Sequence, residues 1–460
     1  MGNVQLISTK NFTEVLRDYV SHSCFNDARL IPQNPYQRPL RRKDLVDHDF
    51  TIPITYNEIV TNKNLLIHRI LNTIYEQDLL LLDDSFNTEQ GYTDFQAFYD
   101  PEFVALGKSI KPVLEYTAFS FLKKEIEVIG NWTKEKFNCY VSRLITEYES
   151  EPSMLCEVIR NSVQPVLAAK NMLIQMAPDF LTEASAMGRA LLGSFGVEQS
   201  EMMKVFIDEY GYGVHDTKHS TLFEKTLHSV GLSHKIHTYY NDYLPTSLML
   251  GNYFHYLCSN RANHFQHLGA LFYSEAVIPH FNRQISKTLK SIISGIDTAY
   301  FDEHVHIDSH HQRMVLDKMI LPSIDHYGED IIDEILLGIE SQKMLMALAD
   351  ADLIAQIHFM NQLYKQEQIT LSNFNKIGNL RPFDEIKDEL TSGHLHNETE
   401  LFTVNQGSLT FYYSPLAPIT LTAGESIIIP KGRLHSTVIQ SDKINYTVQS
   451  VVKNQLEVAA

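Results

Sequence analysis

Hydrophobic and polar positions follow two different periods along this chain, and the change between them divides it. Residues 1–128 read as helical segments joined by Pro-rich connections such as Asn34-Pro35-Tyr36-Gln37-Arg38-Pro39-Leu40. From 129 to 345 apolar residues recur at three- and four-residue steps. Leu173, Met176, Phe180, Ala184 and Met187 form one such stripe, and Met202, Val205 and Phe206 another, which predicts a helical bundle. Residues 346–460 begin with a linker helix, and after about 370 the period becomes two. Leu409–Tyr413, Ser426–Ile429 and Tyr446–Val452 are the clearest strands, separated by Gly and Pro, and many short strands at this spacing predict a small barrel or sandwich. The expected fold class is therefore multidomain α plus β, with an N-terminal helical domain, a helical bundle and a C-terminal β domain.

Helical geometry exposes an anomaly in the bundle. Glu183 falls on the apolar stripe with Met176, Phe180 and Met187. Glu209 continues Met202, Val205 and Phe206, and Glu275 follows Leu268, Leu271 and Phe272. A carboxylate turned into a core without a partner costs several kcal/mol or takes up a proton. Three of them on three segments point to a shared cation. The next segment carries nitrogen. At about 100° per residue, Asp308 lies about 40° to one side of His304 and His311 about 20° to the other, while His306 and His310 point away. Val315 and Met319 continue that narrow face. Beyond Glu209, Gly211-Tyr212-Gly213 predicts a helix break, followed by His215 and His219 one turn apart; geometry does not choose between these two. Glu183, Glu209, Glu275 and Asp308 carry four negative charges, which two divalent cations would neutralise. Inward-facing Glu, Asp and His on bundle helices build di-metal sites of this kind, and such oxygen and imidazole ligation suits iron or manganese better than zinc.

The β-rich segment carries a second constellation. His394, His396 and Glu400 precede Gly407, and Gly424, Pro430, Gly432 and His435 follow. This resembles the two-part cupin signature with both spacings kept, except that Asp388 occupies the place of the first motif's leading glycine. Alternate residues of a strand share a face, so His394 and His396 aim two imidazoles into the barrel, and His435 is expected from a facing strand. Three imidazoles leave open positions on a mononuclear metal. Glu400 is a candidate fourth ligand or a brace for a histidine.

Composition limits the alternatives. A net charge of -18 disfavours nucleic acid or an anionic membrane surface as partner. No run approaches the roughly 18 consecutive apolar residues of a membrane span, and the first residues have no secretory pattern. Cys24, Cys139, Cys156 and Cys258 are scattered without a CxxC pair, which fits a reducing, cytoplasmic setting.

Taken together, a helical di-metal set followed by a cupin signature resembles the N-nitrosating metalloenzymes of the streptozotocin-biosynthesis type. Their haem-oxygenase-like di-iron oxidase domain is fused to a C-terminal cupin, and the likeness runs over nearly the whole chain. That family's ligand pattern falls on Glu183, then Glu209 and His219, then Glu275, then His304, Asp308 and His311, and it favours His219 over His215. The cupin histidines fall on His394, His396 and His435. The resemblance implies a helical N-terminal dimerisation domain and a homodimer, and three Fe(II), two in the bundle and one in the cupin. It also implies O2 as co-substrate, an external reductant and a guanidino amino acid, Nω-methyl-L-arginine, as substrate. Guanidine nitrogens would be hydroxylated at the di-iron site and the product rearranged to an N-nitrosourea at the cupin iron. Two other readings fit the same motifs. One is a different haem-oxygenase-like oxidase, acting by amine N-oxygenation or oxidative C–C cleavage; the other is a non-enzymatic iron-binding protein with a ligand-sensing cupin.

Overall fold

The computed structural model describes residues 9–25, 34–82, 84–364 and 374–453. Helix Asn62–Glu76 is buried at every position but Lys63. A helix apolar or satisfied all round must be surrounded, and this one is. Leu66, Ile67, Ile70, Leu71 and Ile74 pack in a core with Phe103, Ile110 and Leu114 of helix Pro101–Phe119. The same core takes in Met249, Tyr253, Leu257, Ala270, Leu337 and Leu345 of the bundle, so the first third of the chain shares its core with the rest. Two buried arginines secure the joint. Arg38 pairs with Glu76 at 2.7 Å, and Glu76 also meets His237 Nε2 at 2.7 Å. Arg69 donates to the carbonyls of Gly393 and Asn241 at 2.8 and 3.0 Å.

The bundle is built on helices Pro165–Phe180, Val197–Glu209, His219–Ser229, Pro245–Ser259, His264–Ile292 and Ala299–Met314. Helix Ile332–Tyr364 crosses position 345 without interruption and ends against the β domain. There Phe359 and Met360 enter the β core, Asp352 pairs with Arg433 at 3.0 Å, and Gln356 bonds the backbone of Tyr413 and Leu434.

The strands are β1 (Phe374–Lys376), β2 (Arg381–Ile386), β3 (Leu390–His394), β4 (Glu400–Gln406), β5 (Ser408–Tyr412), β6 (Pro418–Thr422), β7 (Ser426–Ile429), β8 (His435–Ile439) and β9 (Lys443–Lys453). They form two antiparallel sheets, β1-β9-β4-β7 with β2 also on β9, and β3-β8-β5-β6. The period-two residues Phe402, Val404, Leu409, Phe411, Ile427, Ile429, Ile439 and Val448 fill the space between them. Among the described residues no strand pairs across the two sheets. The expected small barrel or sandwich is thus a pair of cupin-like sheets held by a side-chain layer rather than by a ring of hydrogen bonds. No helix is long and apolar enough to cross a membrane among the described residues, and the four cysteines are free.

Candidate metal centres

Four helices and a turn bring the first centre together. Glu275 lies mid-helix in His264–Ile292, and His304, Asp308 and His311 line one buried face of Ala299–Met314, with His306 and His310 exposed. Glu209 is the last residue of its helix. The chain then turns sharply through Gly211, Tyr212 and Gly213, all at positive φ. At Gly211 a Cβ would lie 2.5 Å from the Lys218 nitrogen, so only glycine permits this return. The turn delivers buried His219 to Glu209, with Nδ1 2.6 Å from Oε2, and leaves His215 exposed. Glu183 arrives differently from expectation. The stripe through Met187 predicted one helix, but the helix ends at Phe180, and Thr182 Oγ1 donates to the carbonyls of Pro178 and Asp179. Ala184 follows at φ 60°, so Glu183 stands on a turn.

Ligand-type atoms converge in two groups, Glu183 with Glu209, His219 and His304, and Glu209 with Glu275 and His311. Glu209 belongs to both: Oε2 faces His219, while Oε1 lies 3.4 Å from His311 Nδ1. His311 Nδ1 is also 3.3 Å from Glu275 Oε2 and 3.8 Å from Asp308 Oδ1. Neither His219 Nδ1 nor His311 Nδ1 has a hydrogen-bond partner of acceptable geometry, and both Asp308 oxygens and Glu183 Oε2 are buried without one. Such atoms aim at a common point rather than at each other, and an oxygen- and imidazole-ligated cation pair fits them. Asp308, although buried at the centre, belongs to neither tight group.

Two residues that the sequence analysis passed over orient the imidazoles. Tyr300 accepts from His304 Nδ1 through its carbonyl at 2.7 Å and donates its hydroxyl to Glu183 Oε1 at 2.8 Å. Asp208 Oδ2 lies 3.1 Å from His311 Nε2. Carboxylate and carbonyl partners of this kind fix a ligating histidine's orientation. A carboxylate beside Glu209 and a tyrosine one turn before His304 were the available signals.

Charge is shared within the cluster. Burial opposes the ionised form of Glu209, but the His219, His304 and His311 imidazoles outweigh it and hold the carboxyl down to about 2. Burial raises Glu275 and drives Asp308 well above the usual carboxylate range. Burial also works against charged His311, yet Glu275, Glu209 and Asp308 hold it up to about 10; Glu183 and Asp308 raise His304 likewise.

The second centre comprises His394, His396 and His435, with ring centroids 4.4 to 5.0 Å apart. His394 ends β3 and pairs directly with His435 on β8, so His435 comes from the neighbouring strand of the same sheet, not a facing one, and His396 lies just past the strand. Asp388 adopts φ 66°, the left-handed conformation that makes a glycine ordinary at that place. His394 Nδ1 and His435 Nδ1 each lie 3.0 Å from a carbonyl, of Ser392 and Arg433, which leaves Nε2 of each free for the centre. Gly393 packs where a Cβ would lie 2.0 Å from the Asn241 carbonyl. Glu400 reaches in from the other sheet, bonded to Arg381 and 3.3 Å from His396 Nε2. Burial lowers all three imidazoles, His396 to about 2, His435 to about 4 and His394 well below its ordinary value, so each keeps a neutral lone pair.

A cavity of about 210 Å³ opens onto the first centre, lined by Glu183, Glu209, Glu275, His304 and Asp308 together with Asp179 and Asp350. Burial pushes both of these aspartates up to about 7, with Glu183 adding to the effect at Asp179.

Comparison with known proteins places this architecture. Residues 170–343, which hold every candidate ligand of the first centre, match the family described as iron-containing redox enzyme. A nitrosourea synthase from Streptomyces achromogenes subsp. streptozoticus is 38% identical over 454 residues, covering 97% of this chain and 96% of the relative. Among solved structures, a haem-oxygenase-like domain of unknown function from Shewanella denitrificans OS217 aligns over 53% of this chain and 98% of its own, at 17% identity and TM-score 0.38. A cupin-2 domain protein from Shewanella frigidimarina NCIMB 400 aligns over 21% of this chain and 92% of its own, at 20% identity and TM-score 0.14. With its haem-oxygenase-like helical domain, cupin-like sheets and ligand-bearing clusters, the chain belongs to the nitrosourea synthase family and is an iron-dependent, non-haem oxygenase.

Proposed function

We propose that the helical centre hydroxylates guanidine nitrogens of an arginine derivative, Nω-methyl-L-arginine, and that the β-domain centre rearranges the product to an N-nitrosourea. The observation carrying this reading is the presence, in one chain, of two differently built centres: a carboxylate-rich pair of groups sharing Glu209, and an isolated set of three neutral imidazoles. Two iron ions in the helical centre and one in the β domain match these donor sets; bound iron would supply O2 activation in the first and, in the second, an oxidative rearrangement that takes up a further O2, placing one oxygen atom on the guanidine carbon and releasing the other as water.

The residues divide the work. Glu209 bridges the two helical groups through its separate oxygens, while Glu183, His219 and His304 complete one side and Glu275 and His311 the other. Asp308 stands by as a buried carboxylate that can enter either. Tyr300 and Asp208 hold the imidazoles in place. Each hydroxylation puts one atom of O2 on nitrogen and reduces the other to water, which takes two electrons from an external reductant. In the β domain His394, His396 and His435 present one face and leave the other for a chelating N-hydroxyguanidine, with Glu400 bracing His396.

The test is mass spectrometry of Fe(II)-loaded protein with O2, a reductant and a panel of arginine derivatives. Successive N-hydroxylated products followed by an N-nitrosourea are expected. Turnover of other amines or of fatty acids, with every arginine derivative recovered intact, would overturn the proposal.

A further inference from the structure

The helical cavity holds more carboxylates than its metal-binding groups use. Of six acidic side chains lining it, Glu183, Glu209 and Glu275 belong to the metal-binding groups and Asp308 interacts with their charges, whereas Asp179 and Asp350 belong to neither group. Neither Asp179 nor Asp350 has an ion pair or side-chain hydrogen bond among the described residues, and each is half-buried in the cavity wall. No Lys or Arg lines the cavity among the described residues. A third acceptor stands with them. Gln342 donates Nε2 to Ser274 Oγ at 3.2 Å, which leaves its buried Oε1 facing the cavity without a partner. Buried acceptors without donors are costly, and a cationic, donor-rich ligand removes that cost.

The two aspartates stand on different elements of the cavity wall. Asp179 is one turn before Glu183, and its field acts on Glu183's partner Tyr300. Asp350 is on helix Ile332–Tyr364, and its charge acts on Cys156 of helix Met154–Asn161; no cluster residue contributes to its own environment. The wall is otherwise largely apolar, formed by Met172, Met176, Phe180, Leu250, Phe254 and Phe281. Two carboxylates on separate elements of a largely apolar wall suit an aliphatic chain that carries a cation at each end.

We infer that Asp179 binds the guanidinium of the substrate beside the metal centre, and that Asp350 binds its α-ammonium group at the far end. This rests on the arginine-derivative reading above. It turns the cavity into a two-point gauge: the span between the aspartates sets which nitrogen reaches Glu183 and Glu209, and a fatty acid or a monoamine satisfies at most one end.

Calorimetric titration of anaerobic Fe(II)-loaded protein with Nω-methyl-L-arginine reads binding without turnover. Asp179→Asn and Asp350→Asn should each weaken binding about tenfold or more with iron content unchanged. Two analogues separate the ends. The urea analogue citrulline, which has a neutral head, should bind weakly to wild type, and Asp179→Asn should lose its preference for the guanidinium. The Nα-acetyl derivative should also bind weakly to wild type, and Asp350→Asn should lose its preference for the free amine. The analogue titrations on wild type carry the test if a variant does not fold: equal affinity for all three compounds overturns the assignment. Wild-type binding and hydroxylation with both variants unaffected overturns it alone. A wild type that neither binds nor oxidises any arginine derivative overturns the substrate reading as well.

Discussion

The helical and β-domain centres solve the same problem in opposite ways. In the helical centre four acidic side chains surround the imidazoles, and the carboxylates hold His304 and His311 toward the protonated form. In the β domain Glu400, the carboxylate that reaches His396, is engaged by Arg381, and burial keeps all three imidazoles neutral. A cation entering the first centre must displace protons; one entering the second finds lone pairs ready. The carboxylate-rich centre can change its coordination as charge changes, whereas the imidazole centre presents a fixed face.

Loss of Glu209 should break the comparison most severely. Because its two oxygens serve both helical groups, Glu209→Ala should remove iron from the whole helical centre and abolish N-hydroxylation, while β-domain iron remains. Iron analysis and product mass spectrometry check this; retained hydroxylation would show that Glu209 does not bridge. Converse in effect, His394→Ala with His396→Ala should remove about one iron per chain and leave hydroxylation intact, so that hydroxylated guanidine accumulates. Nitrosourea from this variant would end the division of labour.

Asp208→Asn tests orientation rather than ligation. Replacing a partner of this kind typically costs 10–100-fold in metal affinity, and that range is expected for the helical centre alone, read by competition with a chelator. The pH dependence sharpens the contrast further. Proton and cation compete for the same lone pairs, so helical-centre affinity should climb as pH rises toward about 10, where His311 gives up its proton. With His396 at about 2 and His435 at about 4, β-domain affinity should be nearly flat above about pH 6. Parallel profiles for the two centres would refute the charge argument. The smallest effect belongs to exposed His215: His215→Ala should leave iron content and rate unchanged, whereas His219→Ala should lose helical iron.

Much of this was legible in local patterns. Glu275 and the His304, Asp308, His311 face follow from the helical period, because those helices are regular where the ligands lie. Ser426–Ile429 was read as the strand it is, and the runs at Leu409 and Tyr446 lie on β5 and β9. Glu183 was found through a helix that stops three residues too early; its position comes from the turn that Thr182 caps. What the sequence could not reveal depends on packing between distant segments. Tyr300 and Asp208 matter only through where their neighbours point, and Asp179 and Asp350 are 171 positions apart. The cross-strand pairing of His394 with His435 is a matter of register, which spacing alone does not specify.

Arg69 has a consequence for how the molecule is made. Its guanidinium reaches the Gly393 carbonyl, 324 positions later in the chain, next to the first histidine of the β-domain centre. Contacts of such sequence separation form late, because the loop they close must be ordered first. During synthesis the helix carrying Arg69 is complete long before Gly393 leaves the ribosome, and until then its guanidinium has the Asn241 carbonyl but not that of Gly393. Strand β3 therefore acts as a lock on helix Asn62–Glu76. A chain truncated before residue 393 leaves that guanidinium short of an acceptor at the joint.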